Sequence, residues 1–567
     1  MNDRFWTKNY DKGVPAQIDY PQVPLHYFLE ESARKYPTTP CTIFKGARIS
    51  YQEMNEITDR VAAALASLGV KKGDRVGIFI PNTPQFIMVY FGILKAGGVV
   101  VAVNPLYTPR EIEYQVKDAG IEIMFVMSNF YKIIKAAQPN TNLKKLIVTN
   151  IKETLPPVLS VLFTLAKEKK GGFRIEGGLA EGDLWMKELV SRFTPADRPK
   201  LDIGPDDVAL FQYSGGTTGI SKGAVALHRN VVANTLQIKK WMVSLNEGSE
   251  IVLSAIPLFH VYGMVCGMNF ALASGATMVM VPNARDIPDV LENIHKYKAT
   301  IFPGVPTLYN AINNNAAVAA GKYNLRSIKA CISGSAPLMR ETKEKFEGLT
   351  GGVVFEGYGL SEAPTATHCN PLLGINKTGS IGMPMSDVDC RIVNLDDGVT
   401  VMPIGEIGEL ILRGPQVMKG YHNMPTETAN SLRTLPDGSG PWLYTGDIAR
   451  MDEDGYFYIV DRKKELIKPG GYQVWPREVE EVIVTNPKVL EAGVAGIPDP
   501  YRGETVKAWI VLKPGETMTE DEVKSWCKDH LAAFKIPTHI EFRKELPKTT
   551  VGKILRRELV RQEKEGK

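Results

Sequence analysis

Cysteine is scarce in this chain. There are six among 567 residues, at positions 41, 266, 331, 369, 390 and 527, and no two form a CxxC pair. That spacing offers neither a zinc knuckle nor a disulfide framework, so a reducing cytoplasm is the expected compartment. An excess of charge of one sign is also lacking. Lys and Arg number 67 against 63 Asp and Glu, a net charge of +4, too mild a balance to predict a nucleic-acid partner. The opening stretch MNDRFWTKNYDKG lacks the basic and then apolar regions of a secretory signal. Residues 251–282 contain no Asp, Glu, Lys or Arg, enough length for a membrane span. Prolines, His260, Asn269 and scattered glycines interrupt them, and they read instead as a buried strand–helix–strand segment. No short-period repeat is present.

What the chain does contain is ordinary globular material, 44% hydrophobic and 23% charged, too long for a single core. A helix is predicted over 50–67, with Ser50 and Glu53 spaced as a capping box. Strands are predicted at 75–80 and 99–103 around a helix at 84–95 that ends at Gly97-Gly98. This strand–helix–strand rhythm returns near 121–150 and 276–335 and implies a largely parallel sheet covered by helices. After about residue 460 the character changes to a basic run, then apolar segments and an amphipathic helix at 521–533, read as a small α+β domain. Residues 154–170, TLPPVLSVLFTLAKEKK, stand apart. They suit an interfacial helix with its lysines toward anionic headgroups, or a surface helix packed on its own domain, and both readings stay open.

The densest chemical signal is Tyr213-Ser-Gly-Gly-Thr-Thr-Gly-Ile-Ser-Lys-Gly-Ala224, with four glycines, four hydroxyls and one lysine in twelve residues after a strand. Glycines let the backbone approach an anion and turn N–H groups toward it, hydroxyls add donors, and Lys222 adds a point charge. This is a phosphate loop without the Walker A spacing, which disfavours an ordinary P-loop ATPase.

The loop resembles the signature of the adenylate-forming superfamily of acyl-CoA synthetases, luciferases and adenylation domains. Further segments resemble its other motifs in the expected order: Pro257-Leu-Phe-His-Val-Tyr-Gly263, Gly357-Tyr-Gly-Leu-Ser-Glu-Ala363, Tyr444-Thr-Gly-Asp447, Asp461-Arg-Lys-Lys-Glu-Leu-Ile-Lys-Pro-Gly-Gly471 and Pro547-Lys-Thr-Thr-Val-Gly-Lys553. Within the superfamily, Asn104-Pro-Leu-Tyr-Thr-Pro-Arg-Glu111 and Gly552-Lys-Ile-Leu-Arg-Arg-Glu558 resemble the bacterial long-chain fatty-acid CoA ligases.

The resemblance implies a large N-terminal α/β domain (1–460) and a small mobile C-terminal α+β domain (461–567) hinged at Asp461. It implies ATP, Mg²⁺ and CoA as reactants and cofactor, and a fatty acid, long-chain by the closer resemblance, that becomes an acyl adenylate and then a CoA thioester. A medium-chain, aromatic or alicyclic acid, or a carrier protein in place of CoA, is the alternative. Lys553 is implied as the cation that bridges carboxylate and α-phosphate, and Glu362, with Thr217, as the Mg²⁺ site. For ATP and AMP it implies Ser214, Gly215, Gly216, Thr217, Thr218, Gly219, Lys222, Gly334, Ser335, Glu356, Gly357, Tyr358, Gly359, Ser361, Asp447, Arg462, Lys464 and Lys468. His260 is placed between acid and nucleotide, Val261 and Met264 in the acyl pocket with Trp241 upstream of it, and Gly470 and Gly471 beside the pantetheine arm. The sequence leaves the oligomeric state open, with a homodimer as one reading. The second nucleophile is the CoA thiol, so no protein cysteine is required.

Overall fold

The computed structural model describes residues 4–214, 221–470, 472–549 and 552–566. The chain divides into two compact units, Met1–Asp389 with Arg413–Leu432, and Cys390–Leu412 with Arg433–Lys567. Asp461 falls inside the second unit, near the end of the strand Phe457–Arg462.

The first unit is built on an eight-stranded sheet. Its order is Gly420–Tyr421, Lys222–Leu227, Val208–Ser214, Val99–Ala102, Arg75–Phe79, Ile123–Met127, Lys145–Thr149 and Leu184–Trp185. The pairs from Val208–Ser214 through Leu184–Trp185 are parallel, and the first two pairs are antiparallel. Val99–Ala102 is buried throughout, as a strand covered on both faces must be. Helices form where the sequence caps them. Ser50 and Glu53 complete a reciprocal box at the head of Tyr51–Ser67, and Thr108 and Glu111 do the same for Pro109–Ala119, with Pro109 at its first position.

Two further sheets of this unit are linked through Ile301, which bridges to Val252 on one side and Ala330 on the other. One runs Ile251–Ser254, Thr277–Met280, Pro40–Phe44, Ala47–Ser50. The other runs Ala330–Ser333, Val353–Leu360, Ala363–Cys369, Met383–Pro384. The uncharged stretch 251–282 is the expected buried strand–helix–strand, except that its first helical turns, Gly263–Asn269, are π-helical. Such wide turns concentrate at functional sites. No helix among the described residues is long and apolar enough to cross a membrane.

In the second unit, Phe457–Arg462 and Gly408–Arg413 flank the strand Trp442–Met451. Beyond them Val489–Asp499 and Gly503–Leu512 form a long antiparallel pair, joined in parallel by His539–Phe542. Helices Pro476–Val484 and Glu520–Lys528 pack on this sheet around Val479, Val494, Ile510, Val523 and Ile540. The helix predicted over 521–533 stops at Lys528. The chain turns there, and Leu531 and Phe534 pack against the same core.

Candidate active site

In the first unit the antiparallel register sets Ser214 opposite Lys222 and Tyr213 opposite Gly223, so both ends of the phosphate loop are fixed by a sheet. Gly215, Gly216, Thr217, Thr218 and Gly219 lie outside the described residues, as does Gly471. The Lys222 ammonium pairs with the Glu427 carboxylate and sits 5.2 Å above the Tyr421 ring. The Tyr421 hydroxyl in turn donates to Glu362 Oε1 at 2.7 Å. Burial, and then Glu362, push the Tyr421 pKa up, so the phenol stays a donor. One short strand, Gly420–Tyr421, paired with Ala224 and Val225, thus ties Lys222 to Glu362.

Glu362 lies in the turn between the strands Val353–Leu360 and Ala363–Cys369. The turn is tight at its neck, where a Cβ on Gly359 would stand 1.4 Å from the Thr365 carbonyl oxygen, so only glycine fits. Ser361 is half-buried beside Glu362, and the Tyr358 ring meets His368 edge-on at 5.8 Å. Glu356 is buried, and its carboxylate accepts the backbone N–H groups of Leu338 (3.2 Å) and Gly379 (2.9 Å), which makes it a tie between loops. Ser335 holds a φ of +71°, a backbone region that disfavours side chains and that collects at binding sites.

His260, Gly334, Ser335, Gly357, Tyr358 and Gly359 come together around one cavity of about 70 Å³. Its apolar wall includes Trp241, Cys266, Phe355 and Met385. The Trp241 indole is fixed by donation to the Asn370 carbonyl at 2.9 Å. Val261 and Met264 are buried and are not among the lining residues. Met264 instead receives the Tyr90 hydroxyl on its sulfur at 3.4 Å. Burial lowers the His260 pKa to about 4, so the ring is neutral at pH 7. Its Nδ1 accepts the Tyr262 N–H at 3.2 Å, which leaves the proton on Nε2.

In the second unit Asp447 and Arg462 stand opposite each other in register, with Arg462 Nε 2.7 Å from the buried Asp447 carboxylate. Lys463 pairs with Glu409 at 2.8 Å. Lys464 and Lys468 are exposed. Gly470 has a φ of +61° and donates to the Arg502 carbonyl. The Lys553 loop is closed by Thr549, whose hydroxyl accepts the Lys553 N–H at 3.0 Å and whose N–H bonds back to the Lys553 carbonyl. Lys553 itself is exposed, yet the protein mass around it strips enough solvation to lower its pKa. Arg462 pushes the same way, and Asp447 and Glu465 oppose. Nearby, Arg556 forms ion pairs with Asp461 (2.9 Å), Glu480 (2.6 Å) and Glu465.

A glycine-rich hairpin, a glutamate turn, a neutral histidine at a cavity and a lysine loop in one chain agree with what family models find. The model described as AMP-binding enzyme matches residues 29–422, and the AMP-binding enzyme C-terminal domain matches 478–553. The chain belongs to the AMP-binding enzyme family. Among its relatives, the long-chain-fatty-acid–CoA ligase of Bacillus subtilis (strain 168) is 42% identical over 564 residues, 99% of this chain and 98% of that protein. The enzyme of the same name from Yersinia pestis is 37% identical over 560 residues, 98% of each. The crystal structure of ATP-bound MatB from Rhodopseudomonas palustris superposes with a TM-score of 0.81 at 28% identity, covering 96% of this chain and 99% of that one. The expected adenylate-forming fold, a large N-terminal α/β part and a smaller C-terminal α+β part, is borne out.

Sequence reading missed Tyr421, Glu427 and Arg556 as parts of the site. Gly420-Tyr421 lies between motifs and reaches the phosphate hairpin only through strand pairing, which leaves no local signature. Arg556 was visible within a motif, but its three carboxylate partners were not.

Proposed function

We infer that this AMP-binding enzyme is an AMP-forming acyl-CoA synthetase acting on fatty acids, long-chain ones in particular. The observation that carries the reading is end-to-end identity of 42% to a long-chain-fatty-acid–CoA ligase. In the first half-reaction a carboxylate oxygen attacks the α-phosphorus of ATP and pyrophosphate leaves. In the second, the CoA thiol attacks the acyl carbonyl and AMP leaves.

Each residue has a definable task. Lys222 and the loop N–H groups hold phosphates. Tyr358 lies along the adenine, and Asp447 accepts the ribose hydroxyls, with Arg462 fixing its carboxylate. Neutral His260 offers an Nε2 proton as a donor and need not act as a base, because the acid is already ionised near neutral pH. Lys553 neutralises the charge that develops as two anions meet. Its lowered pKa reflects incomplete solvation, which strengthens its hold on an anion. Gly470 leaves room for pantetheine, the motif assigns the same task to Gly471, and rotation about Asp461 switches between the two steps.

The donor set fits a divalent cation. Mg²⁺ is commonly held by one or two carboxylates plus substrate phosphates, and Glu362, steadied by Tyr421, is one such carboxylate; the motif assigns the Thr217 hydroxyl, outside the described residues, to the same ion. Bound there, the ion would neutralise phosphate charge.

The test is AMP release by purified protein with ATP, Mg²⁺ and CoA over straight-chain acids from acetate to oleate, with benzoate and cyclohexanecarboxylate. Release is expected to peak at long chains, with matching acyl-CoA. A peak at short or cyclic acids overturns the substrate assignment, and no AMP with any acid overturns the function.

A further inference from the structure

The helix Pro157–Ala166 is built inside out. None of its ten residues is buried. A helix on a globular surface normally turns its apolar stripe inward and its polar side to water. Here, at 100° per residue, Ser160, Phe163 and Thr164 share one side, the side on which Ser160 and Phe163 are half-covered and Phe163 meets Phe173 edge-on at 5.3 Å. The opposite side carries Val158, Leu162 and Leu165, exposed by 72%, 53% and 79%, flanked by Val161 at 59% and Leu159 at 42%.

Directly after the helix come Lys167, Lys169, Lys170 and Arg174, all exposed. The one acid among them, Glu168, is buried and pairs with Lys152 at 2.6 Å. Lys169 lies 3.6 Å from the exposed Glu176, a surface pair of little energy, and Lys167, Lys170 and Arg174 carry the rest of the outward positive charge. Favourable interaction with the helix C-terminus would account for the lysines, but it does not account for five exposed aliphatic side chains on the outer face.

We propose that Pro157–Ala166 docks onto an anionic lipid bilayer, with Val158, Leu162 and Leu165 entering the acyl boundary and Lys167, Lys169, Lys170 and Arg174 at the headgroups. A short apolar face beside a cationic cluster is the pattern of an interfacial helix. The choice of a lipid surface over another partner rests on the fatty-acid reading, because a long-chain acid partitions into bilayers and an enzyme held there meets its substrate where it is concentrated.

The experiment is flotation of full-length protein, without ATP or CoA, with vesicles of equal parts phosphatidylglycerol and phosphatidylcholine, and with phosphatidylcholine alone. Wild type is expected to float with the acidic vesicles. L162E/L165E should weaken that partitioning at least about tenfold. K169Q/K170Q should weaken it about fivefold per lysine on acidic vesicles and little on neutral ones. Both variants should keep the wild-type circular dichroism and AMP release with soluble octanoate. Absence of flotation, or flotation that L162E/L165E leaves unchanged, overturns the proposal. So does a dimer in sedimentation velocity that L162E/L165E disperses without any vesicle binding, since a second copy would then cover the face. Flotation that holds while no acid is activated would keep the docking surface and reject the fatty-acid function.

Discussion

Lys553 is exposed and makes no ion pair among the described residues, while Asp447 and Arg462 beside it in the charge balance are paired. A cation left without a fixed partner and short of solvent is poised for an anion that arrives with the substrate. Lys553→Ala should therefore slow acyl-AMP formation about 10²–10³-fold, and conversion of supplied acyl-AMP with CoA should change little. Single-turnover measurement of pyrophosphate release and of acyl-CoA formation separates the two, and equal losses in both would remove the assigned role. At this scale the sequence was informative because a motif names the residue that does chemistry. The loop glycines, Lys222, Glu362, Asp447 and Lys553 were all named from the chain. Val261 and Met264 were named too, but neither lines the cavity; both are buried elsewhere in the core, Met264 against the Tyr90 hydroxyl.

At the scale of elements, Arg556 begins the helix Arg556–Lys564 and joins it to three others in the second unit. Its guanidinium meets Asp461 at the end of a strand, Glu465 in the next turn and Glu480 in the helix Pro476–Val484. Asp461 also accepts the Arg477 N–H at 2.6 Å, so the proposed pivot is held from two sides. Removing the cation leaves partly buried carboxylates facing one another, a loss of roughly 3–5 kcal/mol. Arg556→Ala should therefore lower the unfolding temperature of the second unit and carry adenylation down with it, since Lys553 is three residues upstream. Arg556→Lys should restore only part of the stability, because lysine lacks the planar fork that holds Glu480 through two nitrogens. Calorimetry on the three proteins checks the order, and an unchanged transition in Arg556→Ala would show that the network contributes nothing. Element boundaries with caps were legible beforehand, at Ser50 and Thr108. The end of the helix at Lys528 was not, because it depends on a core that the helix itself helps to form.

Across the molecule, burial lowers the pKa of five of the eight histidines, His26, His228, His260, His368 and His422, all in the first unit. His26 is well below its ordinary value, His228 and His260 are near 4 and His368 is near 3. Each folded pKa lies under the unfolded value of about 6.5. Above that pH both states are neutral and the stability is fully present. As pH falls from about 6.5 the unfolded chain takes up protons that the folded one refuses, and roughly 1.4 kcal/mol per pH unit is lost per histidine until the folded pKa is reached. Depressed carboxylates such as Asp389 add a loss of the same sign at lower pH. The melting temperature of the first unit should hold from pH 8 to about 6.5 and then fall steeply toward pH 4. A flat profile to pH 4.5 would mean that these rings are hydrated in solution.

The amino-acid sequence by itself determined the family, the two kinds of domain material and the identity of the chemical groups, because phosphate loops, caps and motif lysines act through neighbours a few residues away. Tertiary structure alone decided which partners hold those groups. Tyr421 reaches Glu362 through a strand added at the sheet edge, Arg556 gathers carboxylates from three elements, and Pro157–Ala166 turns its aliphatic side outward. Those outcomes depend on strand register and on which helix face is already covered, and both are settled only when distant segments compete for the same surface.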